Sequence, residues 1–425
     1  VSSDGQTWTF RLRAEVWSDG LPLTAEDFVY SFRRILNPKT AAKYASILYP
    51  IKNARGVNQG ALGPEALGVH ALDARTLEIA LEQPTPYFLQ LLTHITCQPV
   101  PKHVIERVGD AWVKAGTMVT NGPYILAEWT PNSRIKLVKN PRYHDAANVK
   151  TNIVYYLPLS DAAIELKRYR AGEIDITDSV PPREVHKLQA EFGAAMRVYP
   201  YLRSDYVLVN VNMKPFDDLR VREALSLAID REVIANQILA AGQVPAYGFL
   251  PPGVANYPLH AELALKYLAP DARLQRARAL LAGAGFGSAH PLRATYRYAD
   301  SVEARAVAIA LQAMWKRIGV EIELLNSEGR IHYNALRSQD FQLARANWIA
   351  DYNDPDNFLF LFRSSSGGMN YTKYSNPQFD TVMDEASWTM DLAKRSGLLR
   401  EAEAILMRDE PIIPLYFGSY RQLVT

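Results

Sequence analysis

Val307-Ala-Ile-Ala-Leu-Gln-Ala-Met-Trp-Lys-Arg-Ile-Gly-Val-Glu-Ile-Glu-Leu324 changes its hydrophobic period half-way along. Val307, Leu311, Met314 and Ile318 recur at spacings of four, three and four, which places them on one face of a helix. Gly319 then stops that helix, because the residue past a helix end commonly turns left-handed, a conformation glycine adopts without steric cost. Directly afterwards Val320, Ile322 and Leu324 alternate with glutamates, the period-two pattern of a half-buried strand. A helix, a glycine and a strand in immediate succession predict an α/β protein whose sheets are covered by helices.

The same two patterns alternate along the rest of the chain. Residues 8–13, 75–81, 134–139, 153–157, 206–211, 320–325 and 412–417 read as strands. Thr24 followed by Asp27 predicts an N-terminal helix cap, Phe28, Phe32, Ile35 and Leu36 share a face, and Pro38 ends the helix. A second helix starts near Asp217 and Asp218, with Val221, Ala224, Leu225, Ala228 and Ile229 as its apolar stripe. Pro251-Pro252-Gly253 and residues 364–368 punctuate irregular stretches, but the 26 prolines are dispersed and mark no single linker.

Composition narrows the function classes. A chain of 425 residues is too long for one core, so two or three domains are expected. Net charge is +2 with both signs interspersed, and no basic stripe suited to nucleic acid is present. No apolar run approaches the roughly 18 residues a membrane span needs. Cys97 is the only cysteine, which excludes an internal disulfide and any thiolate metal cluster. Val1 is not an initiator methionine, and no charged-then-apolar signal segment is present in this chain.

The chain carries no recognisable catalytic motif. None of His70, His94, His103, His144, His186, His260, His290 and His332 pairs with another at the i, i+4 spacing that lets two imidazoles face one metal. Gly283, Gly285 and Gly287 suggest a phosphate loop, yet the third fingerprint glycine is replaced by Ser288, and a helix terminus explains the run better. No nucleophile elbow and no phosphate-loop Gly-Lys-Ser/Thr ending occurs. The acidic pairs Asp217/Asp218 and Asp354/Asp356 suit capping and turn chemistry rather than acid–base work. These readings point to no enzyme, no catalytic residue, no cofactor and no metal.

A family resemblance supplies the positive reading. Trp8-Thr-Phe-Arg-Leu-Arg13, Trp17-Ser-Asp-Gly20 and Pro22-Leu-Thr-Ala-Glu-Asp-Phe-Val29 resemble the signature region of the peptide-binding class of extracytoplasmic solute-binding proteins that serve ABC importers. Four more strings follow in family order: Val119-Thr-Asn-Gly-Pro-Tyr124, Tyr169-Arg-Ala-Gly-Glu-Ile-Asp175, Phe216-Asp-Asp-Leu-Arg-Val-Arg-Glu-Ala-Leu225 with Asp230-Arg231, and Ala344-Arg-Ala-Asn-Trp-Ile-Ala-Asp-Tyr-Asn353. Oligopeptide binders and their murein-peptide relatives look most similar. The resemblance implies a two-lobed periplasmic-binding-protein-like α/β fold with an extra small domain. It assigns 1–103 to that small domain, 104–203 to an incomplete lobe I, 204–421 to lobe II and 422–425 to the start of a return to lobe I. By the same comparison the chain is read as a fragment that lacks the N-terminal strands and the C-terminal end. It implies a monomer, periplasmic or lipid-anchored at the cell surface, that closes on a ligand by a hinge and docks on a membrane-embedded ABC permease.

A short peptide is a zwitterion with unsatisfied backbone groups, so burying it needs an anion, a cation and strand-like partners. By resemblance Asp351 matches the aspartate that pairs with the peptide amino terminus, and Arg345 an arginine able to meet the carboxylate of short ligands. Asn347 and Trp348 match positions presenting backbone and an aromatic wall, Arg337 a neighbouring cleft arginine, and Tyr44 a ligand-facing tyrosine. Some family positions differ. Gly329 replaces a tryptophan expected after Glu328, Asp178-Ser179 replaces a Tyr-Asn pair, and a histidine used for longer ligands is replaced near Ala304. Ile349 and Arg203 stand where some members carry paired cysteines. The altered pockets leave room for another cargo, such as a metal chelate, heme or glycoside, and an unrelated hydrolase is the rival from a different class.

Overall fold

In the computed structural model, which describes residues 1–159, 161–258 and 260–425, the chain forms two compact units. The first takes residues 1–159 with Trp388–Met390, and the second takes the described residues of 161–387 and 391–425. In the first unit, strands β1 (Thr7–Arg11), β2 (Val69–Asp73) and β3 (Thr76–Ala80) form an antiparallel sheet in the order β1-β3-β2. Helix α1 (Ala25–Leu36) covers it. The helix starts where expected, with Thr24 N donating to Asp27 Oδ2 at 2.9 Å, and ends before Asn37-Pro38. Val29, Phe32 and Leu36 from α1 meet Val69, Leu77 and Ile79 from the sheet in one core.

A second sheet of this unit, β4 (Tyr124–Thr130), β5 (Arg134–Lys139) and β6 (Ile153–Tyr156), contains no buried residue. Trp8 stacks on Phe10 and Trp17 is fully buried, so both serve packing. Trp129 is different. It stands on β4 at 55% exposure.

The second unit is built on one six-stranded mixed sheet. Its strands are β7 (Met196–Val209), β8 (Val244–Pro245), β9 (Leu292–Ala299), β10 (Val320–Ser327), β11 (Leu343–Ile349) and β12 (Ile412–Leu423), in the spatial order β8-β12-β7-β11-β9-β10. β9 pairs in parallel with β10 and with β11, whereas β11 and β12 run antiparallel to β7. Helices α2 (Leu219–Leu227), α3 (Pro270–Gly283), α4 (Val302–Lys316), α5 (Gly329–Arg337) and α6 (Leu392–Asp409) belong to the same unit.

The stretch 307–324 folds as its periodicity dictates. Val307, Leu311, Met314 and Ile318 are buried, Gly319 takes φ 84°, and β10 begins at Val320. The stripe of α2 is buried as expected, and Asp218 caps it by accepting from Arg220 N at 2.9 Å. The Gly283-Gly285 run is the end of α3, with Gly285 at φ 92°. Each expected strand is present, three of them within longer elements: 206–209 ends β7, which stops two residues short of the expected 211, 320–325 opens β10 and 412–417 opens β12. β7 passes through position 203 without a break.

Candidate functional site

β11 carries Arg345, Asn347 and Trp348, and Asp351 follows two residues beyond the strand's end. Alternation along the strand sends Arg345 and Asn347 to one face, and Ala344, Ala346 and Trp348 to the other. Asn347 lies opposite Asp205 of β7, and Tyr416 of β12 lies opposite the same Asp205 from the other side. Three neighbouring strands therefore converge on one face at Asp205. Glu303 joins them from the first turn of α4, which Ser301 caps by accepting from Ala304 N at 3.0 Å.

These groups form a buried ion-pair network. Arg345, only 8% exposed, donates through Nη2 to Asp205 Oδ1 at 2.7 Å and to Tyr416 Oη at 2.8 Å, with Glu303 Oε1 at 3.5 Å. Tyr416 Oη donates to Glu303 Oε1 at 2.9 Å. Arg203 reaches Asp205 with two nitrogens, Nη2 at 2.8 Å from Oδ1 and Nε at 2.7 Å from Oδ2. A charge withdrawn from water needs such pairing, and the network supplies it. Burial alone would weaken the Arg345 charge, but Tyr416, Asp205 and Glu303 outweigh it and hold its pKa well above the usual guanidinium range. Burial raises the Tyr416 hydroxyl far above its ordinary value, partly opposed by Arg345, so it stays a neutral donor. His332 of α5 donates from Nε2 to the Arg345 carbonyl at 2.9 Å, fixing the strand from beneath.

Asn357 positions the other end. Its Oδ1 accepts from Trp348 Nε1 at 3.0 Å and from Asp351 N at 2.9 Å, so one buried amide sets both the indole and the turn that carries the carboxylate. The Trp348 ring meets Phe360 edge-on at 5.8 Å. Asn357 lies in the short helix Asp356–Leu359, which is anchored by Asp354. Asp354 Oδ1 accepts from Asp356 N at 2.9 Å, while Arg395 of α6 grips both Asp354 oxygens at 2.7 and 2.8 Å. The Asp354/Asp356 pair is thus turn chemistry, as its spacing suggests, with a buried arginine the spacing does not reveal.

The expected residues are placed as follows. Arg345, Asn347, Trp348 and Asp351 share β11 and its following turn. Arg337 ends α5, is exposed, and donates to Asn334 Oδ1 at 2.9 Å on its own helix rather than to the Arg345 network. Tyr44 belongs to the first unit, 47% exposed, with its ring stacked on His94 at 5.0 Å. Sequence reading missed Asp205, Glu303, Tyr416 and Asn357. The one available signal was Asp205, a charged residue heading the apolar run Tyr206-Val-Leu-Val209.

Residues 1–370 match the family described as bacterial extracellular solute-binding proteins, family 5 middle. The chain belongs to that family. It is 40% identical over 428 residues to "Periplasmic oligopeptide-binding protein OppA" of Escherichia coli K12, covering all of this chain and 78% of the relative. It is 38% identical to the Escherichia coli K12 protein named "Probable deoxycholate-binding periplasmic protein YgiS", covering all of this chain and 79% of that one. The crystal structure of Haemophilus influenzae OppA in complex with RPPGFSPFR aligns with a TM-score of 0.84 at 35% identity, over all of this chain and 84% of that one. The fold is therefore the α/β fold of these solute-binding proteins. Ile349 and Arg203 are direct cross-strand partners on β11 and β7.

Proposed function

We propose that this family 5 protein captures short peptides for an ABC importer, holding the peptide ammonium at Asp351 and its carboxylate end at the arginine network around Arg345. The observation that carries this reading is the construction of β11: an arginine network at one end and, six residues on, a carboxylate whose turn is pinned by Asn357. On an extended chain six residues reach at most about 20 Å, ample for a tripeptide. Asn347 and Trp348 supply polar and aromatic walls between the two ends, with Arg337 and Tyr44 as further contacts.

In this reading the protein binds without altering its ligand, acts as a monomer, and delivers its cargo to a membrane permease. It resides in the periplasm or on a lipid anchor. No helix among the described residues is long and apolar enough to cross a membrane. The division into a small domain (1–103), lobe I (104–203), lobe II (204–421) and a returning segment (422–425) is part of the same proposal. Calorimetry with a set of dipeptides to pentapeptides tests it, and Asp351→Asn should weaken peptide binding by about 2–5 kcal/mol, since a desolvated ammonium loses its charged partner. Unchanged affinity in that variant would remove the assignment.

The relative named for deoxycholate supports a second reading, in which the cargo is an amphipathic anion. Such a ligand has no ammonium, so it would bind equally well to the parent and to Asp351→Asn.

A further inference from the structure

Arg203 was not among the candidate ligand residues, yet it has a built seat. It lies two residues before Asp205 on β7, so both side chains emerge on the same face. Its aliphatic stem crosses Gly418 of β12 so closely that a Cβ there would stand 2.9 Å from Arg203 Cδ and 3.0 Å from its Cβ. Glycine at 418 keeps that track open.

The track leads the guanidinium to an acceptor that is already taken. Asp205 Oδ1 accepts from Arg203 Nη2 at 2.8 Å and from Arg345 Nη2 at 2.7 Å, so two cations meet on one oxygen. Glu303 Oε1 lies 3.9 Å from Arg203 and 3.5 Å from Arg345 and offsets part of their repulsion. Arg421 of β12 is electrostatically coupled to Glu303 and Arg203 as well. With Arg421, whose Nη1 donates to the Ala241 carbonyl at 3.4 Å, three guanidiniums share the neighbourhood of two carboxylates, a formal excess of one positive charge. Arg345 Nε and Asp205 Oδ2 are both buried without a hydrogen-bond partner, so the network is not closed by its own groups. Exposure is graded across the network. The side chain of Asp205 is fully buried, that of Arg345 nearly so, and that of Arg203 is 24% accessible, so the unmatched charge meets a ligand at Arg203.

We propose that Arg203 is a specificity-determining cation of this binding protein: backed by Arg345, it receives the anionic end of the ligand, and the α-carboxylate of a short peptide is the group that fits. A guanidinium presents a planar fork of donors that matches a carboxylate, and a network already carrying unmatched positive charge gains most from one further anion. The proposal rests on the peptide reading above and adds to it a residue, Arg203, as the group on which the preference for a free carboxylate depends.

The test is calorimetry of the full chain with trialanine and with trialanine amide, which differ only in the terminal charge. The parent should prefer the free acid by at least about tenfold. Arg203→Gln should reduce that preference below about threefold while changing the affinity for the amide by less than about threefold. Gly418→Ala, which keeps the charge but crowds the stem, should give an intermediate preference and decides the matter if Arg203→Gln does not fold. A full preference retained in either variant overturns the role of Arg203 and leaves the peptide reading intact. Equal loss of acid and amide in Arg203→Gln assigns Arg203 a structural role and also overturns the proposal. A parent that binds neither compound overturns both readings together.

Discussion

Arg395 and Arg345 are both buried arginines of the second unit, and they are matched in opposite ways. Arg395 grips one carboxylate through both oxygens: Asp354 accepts from both of its Nη groups, and the Ala386 carbonyl accepts from its Nε at 3.2 Å. Arg345 shares Asp205 with Arg203, and shares Glu303 and Tyr416 with the rest of its network. A carboxylate gripped through both oxygens by one guanidinium is a closed pair, and its natural use is to fix a turn, here the one that leads through Asn357 to Asp351. An unequal set is electrostatically open and suits a place where an ion comes and goes. The difference lies in how the aspartates are held, Asp354 through both oxygens by one arginine and Asp205 by two arginines on one oxygen, since both Arg395 and Arg345 are almost wholly inaccessible.

The comparison is most exposed to failure at Arg395→Met. This variant leaves Asp354 buried without its cation, next to Asp356, whose pKa burial and then Asp354 already push up. Urea unfolding should show a loss of about 3–5 kcal/mol. A cost below about 1 kcal/mol would mean the closed pair is not what holds the turn.

Glu410 sharpens the contrast, because it is a buried carboxyl near arginines that make no hydrogen bond to its Oε2. Burial, only partly opposed by Arg231, raises its pKa from an ordinary 4.5 to about 8. Below the lower value both folded and unfolded chains hold the proton. Between the two values only the folded chain does, so Glu410 makes stability fall as pH rises through that window and adds no further slope above about 8. Glu410→Gln should therefore match the parent near pH 4.5 and exceed it at pH 8 by on the order of 2 kcal/mol, read from urea midpoints across pH. Parallel pH profiles for the two proteins would show that the raised value does not govern stability.

Arg345→Met comes next. Asp205 keeps Arg203 and Tyr416, so the expected cost is about 1–2 kcal/mol, less than for Arg395→Met. Equal costs for the two variants would erase the distinction between closed and open sets. Glu303→Gln is the mildest change. It should alter stability by less than about 1 kcal/mol, since Glu303 is the more accessible carboxylate of the network, and it should tighten binding of trialanine severalfold by adding to the unmatched charge. Weaker binding of the free acid would mean that Glu303 organises the arginines rather than diluting them.

Much of the fold was legible because it rests on local rules. Thr24 with Asp27, Asp218 and Gly319 act within a few residues, and periodicity located the buried faces of α1, α2 and α4. The exposure of Trp129 was not legible, since tryptophan is apolar wherever it stands and only the coverage of its sheet decides its burial. At the site, Arg345, Asn347, Trp348 and Asp351 were recognisable as one string because they are neighbours in sequence. Their partners were not. Asp205 lies 140 residues before Arg345, and Tyr416 lies 71 residues after it.

The sequence by itself settled the α/β class, the helix ends and the string that carries a cation, an aromatic and a carboxylate in fixed order, because these depend on spacing and on neighbours along the chain. Only the tertiary structure decided which charges are matched. Strand order brings β7, β11 and β12 side by side and makes two arginines share one aspartate. Electrostatic energy depends on distance in space and on exclusion from water, and neither is written in the order of residues.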